Sequence, residues 1–158
     1  MENFDSNTFL QVWERVNDRG ENIKSGEKSD REKLCFFMDK AAFSERGYIL
    51  LGQKFGRRDG GAFLLLRKGT AQSLREMMTA HFILTGDTYA PEKVKPYFPS
   101  AIDGLRDMYL RETEGAENFR RAAMETDKGS LTDLYHKMAA MSEKRGEKLM
   151  ELINKALK

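Results

Sequence analysis

All three prolines of this 158-residue chain, Pro91, Pro96 and Pro99, lie within a span of nine residues near its middle. Proline has no amide hydrogen to donate and its ring clashes with the preceding helical turn, so a helix does not run through such a segment. Residues 87–99 are therefore predicted to form an irregular connector. This connector separates two proline-free halves of comparable length.

Each half has the pattern of two helices joined by a glycine-containing turn. The first half predicts helices from about Ser29, with Glu32 in capping-box spacing, to Phe55 and from after Gly61 to Thr85, where Gly86 suits a left-handed helix end. The second half predicts helices from after Ser100 to near Thr126, and from after Ser130 almost to the C-terminus. Two short turns and one long connector predict an all-α, ferritin-like four-helix bundle with one crossover, covering 29–158.

Residues 1–28 differ in pattern from the predicted bundle. Phe9, Val12, Trp13 and Val16 have the spacing of a short amphipathic helix, and a polar, glycine-containing linker follows. Two interpretations stay open: the helix docks on its own bundle, or it forms an arm that contacts another subunit.

Composition narrows the class of protein. With 27 basic and 25 acidic residues the net charge is +2, which argues against nucleic acid as a partner. No long apolar span is present, so no membrane association and a cytoplasmic location are expected. Cys35 is the only cysteine, which excludes intramolecular disulfides and thiolate metal clusters.

The apolar stripe of each predicted helix becomes small or polar in its middle. The stripe of the second helix runs from Phe63 to Leu84 and that of the fourth from Leu131 to Ala156. Together the stripes predict one shared middle layer made of Ala41, Thr70, Ser73, Glu112, Ser142 and Arg145.

The segment 134–149, the helix end at 81–86 and the spacing from Glu112 to Phe119 resemble the rubrerythrin-type branch of the ferritin-like superfamily. The resemblance implies a Glu on the first and third helices and a Glu-x-x-His on the second and fourth, which hold two irons. In this register Ala41, Thr70, Ser73, Ser142 and Arg145 occupy ligand places, and only Glu112 keeps the ligand type. The resemblance therefore implies a degenerate, vestigial di-iron site with no metal or other cofactor expected.

Glu112 and Arg145 each place a charge in an apolar stripe, where an unpaired charge is costly. We predict that they form a buried ion pair, with the guanidinium fork engaging the carboxylate bidentately and Ser73, Thr70 or Ser142 adding hydrogen bonds. The alternative is that the register differs by one residue and Arg145 extends to solvent.

Three functions fit these patterns. The first is a non-enzymatic structural or interaction module, acting as a homo-oligomer, such as a dimer, or through a protein partner. The second is a rubrerythrin-like, metal-dependent oxidoreductase that handles peroxide or oxygen at an atypical iron or manganese site. The third is a small-molecule pocket in the middle layer, because Ala41, Thr70, Ser73 and Gly115 are all small.

Overall fold

The computed structural model describes residues 26–158, with side chains from Asp30 onward, and it contains four helices. These are α1 (Gly26–Phe55), α2 (Gly60–Thr85), α3 (Ala101–Glu125) and α4 (Gly129–Ala156). No strand occurs in the described residues, so the all-α prediction is confirmed for them. The predicted N-terminal helix and most of the linker that follows lie outside the described residues.

The predicted boundaries at the connector are confirmed. Gly86 adopts φ of 77°, and its amide donates to the Phe82 carbonyl to close the C-terminus of α2. At the start of α3, the Ser100 hydroxyl accepts from the Asp103 amide. A left-handed glycine and a serine N-cap are the local signals that end and begin helices, which is why sequence located both positions.

Three predicted helix starts are wrong by a few residues. α1 begins at Gly26, so Ser29 lies inside it, α2 begins at Gly60, before Gly61, and α4 begins at Gly129, before Ser130. In α4 the Lys128 carbonyl accepts from the amides of Leu131 and Thr132, which forms the first turn without a side-chain cap. Capping rules identify favourable residue types, but backbone hydrogen bonds alone extend these helices by a turn or less.

Two apolar clusters at opposite ends of the bundle give the direction of each helix. One cluster includes Leu34, Met77, Phe119 and Leu131. The other includes Leu51, Phe63, Leu105 and Leu149. α1 and α4 therefore run from the first cluster to the second, and α2 and α3 run the opposite way. Since α2 and α3 are parallel, the connector between them has to traverse the length of the bundle.

The connector runs along α1. The Tyr89 hydroxyl donates to Asp39 Oδ1 at 2.9 Å, and the Glu92 amide donates to the same oxygen at 2.8 Å. Further along, Arg46 Nη1 donates to the Val94 carbonyl at 3.1 Å. Side chains of one helix thus bond the connector at successive positions, and residues 87–99 have no secondary structure of their own.

α1 and α3 approach each other closely beside the second cluster. A Cβ added at Gly104 would lie 2.6 Å from Leu51 Cδ2 and 2.9 Å from the buried Phe98 ring. A Cβ added at Gly47 would lie 2.8 Å from Met108 Sδ. Glycine at these two positions therefore sets how near the two helices lie at this level of the bundle.

The predicted stripe of α4 is wrong at its C-terminal end, because Ala156 is exposed. In α2, Leu84 is half-buried and packs against the first cluster as the stripe predicts, and His81 beside it is buried as well. The ends of the helices extend beyond the packed interior, so helical periodicity no longer predicts which residues are buried there.

Candidate functional site

Glu112 and Arg145 form an ion pair in the middle of the bundle, between the two apolar clusters. Arg145 Nε donates to Glu112 Oε1 at 2.8 Å, and the two side chains are 11% and 5% exposed, respectively. Arg145 Nη1 donates to Ser73 Oγ at 3.3 Å, and Nη2 donates to Ser142 Oγ at 3.2 Å. The prediction of a buried pair supported by hydroxyl groups is confirmed, and the alternative in which Arg145 extends to solvent is wrong.

Two details of the predicted pair are wrong. The contact is through Nε alone rather than bidentate, because the outer guanidinium nitrogens donate to serines on α2 and α4. Thr70 does not join the pair, since its hydroxyl donates to the Leu66 carbonyl of its own helix at 2.9 Å. A threonine inside a helix reaches the carbonyl one turn back more readily than a group across the core.

Tyr48 completes the site, and sequence reasoning gave it no role there. Its hydroxyl donates to Glu112 Oε1 at 2.6 Å, so a single carboxylate oxygen accepts from both Tyr48 and Arg145. The sequence offered only a general indication, which is that a buried tyrosine hydroxyl usually forms a hydrogen bond. Which partner it finds depends on how α1 faces α3.

The surroundings of Tyr48 and Arg145 shift the pKa of both side chains upward. Burial, followed by the charge of Glu112 and the hydrogen bond to it, raises the pKa of the Tyr48 hydroxyl well above its usual range. Burial lowers the pKa of Arg145, but the neighbouring Glu112 carboxylate outweighs it and the net direction is upward. The arrangement is therefore a neutral phenol and a charged guanidinium that both donate to one carboxylate oxygen.

The six residues of the predicted middle layer come together around one cavity of about 60 Å³, which is lined by Ala41, Thr70, Ser73, Glu112, Ser142 and Arg145 among others. The partly exposed lining residues belong mainly to α1 and α3, so the cavity opens between these two helices. The stacked rings of Phe37 and Phe119, with centroids 4.1 Å apart, form an apolar wall.

Asn118 is a further polar residue of this cavity that the stripe pattern did not predict. It is 2% exposed and lines the cavity, and its Oδ1 finds no hydrogen-bond donor within residues 26–158. It immediately precedes Phe119, to one side of the α3 stripe. The three-and-four spacing that locates core positions therefore passes over it.

Cationic side chains flank the opening. Arg111 Nε contacts Asp107 Oδ2 at 3.1 Å, and its guanidinium carbon lies 4.0 Å from the centroid of the Phe43 ring. Lys40 lies over the ring of Phe36 at 5.5 Å. Burial and then the charge of Arg111 lower the pKa of Lys40 to about 8. The opening of the cavity thus combines cationic groups with aromatic rings.

The two histidines lie away from the site. His81 is buried at the end of α2, where Nδ1 is 3.0 Å from the Asp87 carbonyl, and His136 is exposed on α4. In the part of the chain that the structure describes, no three His, Cys, Asp or Glu side chains converge as a metal site requires. A metal at the middle layer would have Glu112 as its carboxylate ligand, and both Tyr48 and Arg145 already donate to one oxygen of that group.

Comparison of the chain with known protein families, with curated proteins and with solved structures gave no match. None of the four described helices combines the length and apolar character needed to span a bilayer.

Proposed function

We propose that the protein is a ferritin-like bundle of the rubrerythrin type in which the Glu112–Arg145 pair takes the place of a two-metal centre, and that it works as a non-enzymatic structural or interaction module. The observation that carries the proposal is the position of the Arg145 guanidinium. It lies within the middle layer, hydrogen-bonded to Glu112, Ser73 and Ser142. The resemblance assigns four of these positions, including Arg145, to metal ligands.

Arginine is the residue least compatible with a dication at this place. Its guanidinium stays protonated in proteins and offers donors only, so it repels a metal ion and cannot ligate one. The hydroxyl and methyl groups at the other ligand places do not substitute for the carboxylates and imidazoles that iron and manganese need. The parallel direction of α2 and α3, with the connector spanning the bundle between them, supports the ferritin-like connectivity.

Metal analysis of the purified full chain, expressed with iron or manganese supplied, tests the proposal. We expect no stoichiometric metal and no peroxide or oxygen turnover. About two metal ions per chain, the number that the ferritin-like di-metal proteins hold, would overturn the proposal and favour the metal-dependent oxidoreductase instead.

A variant with the ligand types restored serves as the positive control. It combines Ala41→Glu, Thr70→Glu, Ser73→His, Ser142→Glu and Arg145→His, with Glu112 retained. If the register is right, the folded variant gains about two metal ions per chain, because six ligands then converge. A folded variant that binds none would refute the ferritin-like assignment of the layer.

The outward face of α2 supports an interaction role, and we propose a second copy of the chain as its partner. Leu65 is 70% exposed and Ile83 is 79% exposed, with Leu64 and Phe82 beside them. The two pairs are eighteen residues apart, which is about five full helical turns, so they share one face. A two-fold axis at the middle of α2 would place Leu65 of one copy against Ile83 of the other, as a self-complementary interface requires.

Light scattering on a sizing column tests this interface. We expect a dimer for the native chain and a monomer for the variant Leu65→Glu with Ile83→Glu. Met124→Glu is the matched control, because Met124 is also 79% exposed but lies on α3. A monomeric native chain, or a dimer that survives both charges on α2, would contradict the proposed interface.

A further inference from the structure

The cavity beside the ion pair contains a buried polar group that the pair does not use. Asn118 is 2% exposed, and no donor among the described residues reaches its Oδ1. A buried amide oxygen without a partner loses its hydration without compensation, which destabilises the fold. Because Asn118 also lines the cavity, a molecule held there would lie beside the residue that carries this oxygen.

The rest of the cavity surface favours an apolar body over a purely polar one. Phe37 and Phe119 form a stacked aromatic wall, and Met77 lines the same space. The space exists because Ala41 and Gly115 present little or no side chain to it. A cavity of about 60 Å³ is smaller than the roughly 150 Å³ that accommodates benzene, so it suits a molecule of only a few non-hydrogen atoms.

The charges in and around the cavity further restrict the kind of molecule that it can bind. Glu112 and Arg145 already neutralise each other inside the cavity, so an ionised ligand would bring an uncompensated charge into the interior. At the opening, cationic Lys40 and Arg111 lie near acidic Glu114 and Asp107, which gives no strong preference for either sign. An uncharged molecule avoids the desolvation penalty that an ion would meet.

We propose that this cavity binds a small uncharged alcohol or amide, which donates one hydrogen bond to Asn118 Oδ1 and places its apolar body against Phe37, Met77 and Phe119. The ligand enters between α1 and α3, past the side chains of Lys40 and Glu114. This binding goes beyond the proposed interaction role, and it holds whether or not the fold descends from a metal protein.

Four molecules with the same number of non-hydrogen atoms separate the features of the proposal. Propan-2-ol and acetamide carry a hydrogen-bond donor, acetone lacks one, and acetate is charged. Titrations of the ¹⁵N-labelled full chain are followed by NMR at the Asn118 side-chain amide and the backbone amides of Ala41 and Gly115. We expect saturable millimolar binding of the two donors, with acetone and acetate at least roughly tenfold weaker.

Two variants test the site itself. Asn118→Leu should abolish the preference for propan-2-ol over acetone and raise the unfolding temperature, because it removes the unpartnered oxygen. Ala41→Leu should fill the space and abolish saturable binding of all four molecules. Met124→Glu, a change at an exposed position of α3, should leave the titrations as they are in the native chain.

Three results would overturn the inference. Linear, unsaturable shifts with every molecule would mean that the cavity holds water only. Equal affinity for propan-2-ol and acetone would show that Asn118 does not select a donor. A lower unfolding temperature for Asn118→Leu would show that its side chain is already satisfied in the native protein.

Discussion

Replacing one charged residue of the Glu112–Arg145 pair at a time gives the most direct test of the middle layer. Glu112→Gln keeps the shape of the side chain but leaves the Arg145 charge uncompensated. Arg145→Met leaves the carboxylate with Tyr48 as its remaining donor. The double variant removes both charges, so neither is left alone in the interior.

The structure sets the expected magnitude. Charges about 4 Å apart at an effective dielectric constant of about 20 attract by ~4 kcal/mol. Removal of one partner from a buried pair typically costs about 3–5 kcal/mol, and exposures of 11% and 5% place this pair in that class. The double variant should cost less than either single change. Its remaining cost comes from Ser73 and Ser142, which lose the guanidinium donors at 3.3 and 3.2 Å.

Urea unfolding followed by circular dichroism measures the free energies of unfolding of the native chain and the three variants. We expect a coupling free energy of at least about 2 kcal/mol between the two positions. Lys148 and Glu151 provide the matched control, because they form an exposed pair at 3.1 Å on α4. Their cycle, with Lys148→Met and Glu151→Gln, should give a coupling of under about 0.5 kcal/mol.

Small and additive effects at positions 112 and 145 would refute the reasoning. If each single change costs under about 1 kcal/mol, neither charge depends on the other for compensation. The pair would then be equivalent to the control pair on α4, and the interpretation of the layer as a replaced metal centre would lose its physical basis. If a single variant is unfolded in buffer, the native chain and all three variants are compared in the presence of an osmolyte, which stabilises the folded state without altering the pair.

Three further predictions concern other positions in the bundle. Tyr48→Phe should lower the free energy of unfolding by about 1.5–3 kcal/mol in urea melts, because it removes a hydrogen bond to the charged Glu112, and no loss would contradict the contact. Gly104→Ala should destabilise by about 1–3 kcal/mol through overpacking, whereas Gly69→Ala, whose new methyl would lie 3.9 Å from its nearest neighbour, should be neutral or stabilising by up to about 1 kcal/mol. Because the pKa of Lys40 is lowered to about 8 in the folded state from 10.5, the unfolded chain binds more protons in that interval. Relative to Lys40→Met, the native chain should therefore gain stability from pH 8 to 10.5 in parallel melts, and a constant difference would contradict the shift.

Sequence predicted most of the fold because its main signals are local. Proline positions located the connector, Gly86 and Ser100 located its boundaries, and helical periodicity located the interior face of each helix. The six middle-layer residues were found in the same way, since the position of a residue along a helix follows from its number. Their meeting around one cavity follows from aligning four helices of similar length.

Periodicity gives the face and height of a side chain but not the atom that it contacts across the core. The contact of Tyr48 with the same Glu112 oxygen as Arg145, and the single-nitrogen geometry of the pair, depend on how α1, α3 and α4 are rotated about their axes. The unpartnered Oδ1 of Asn118 depends equally on what lies opposite it. Only the tertiary structure decided these features. A hydrogen bond requires its donor and acceptor to lie within a few tenths of an ångström of the optimal distance, and helical periodicity does not fix the distance between helices.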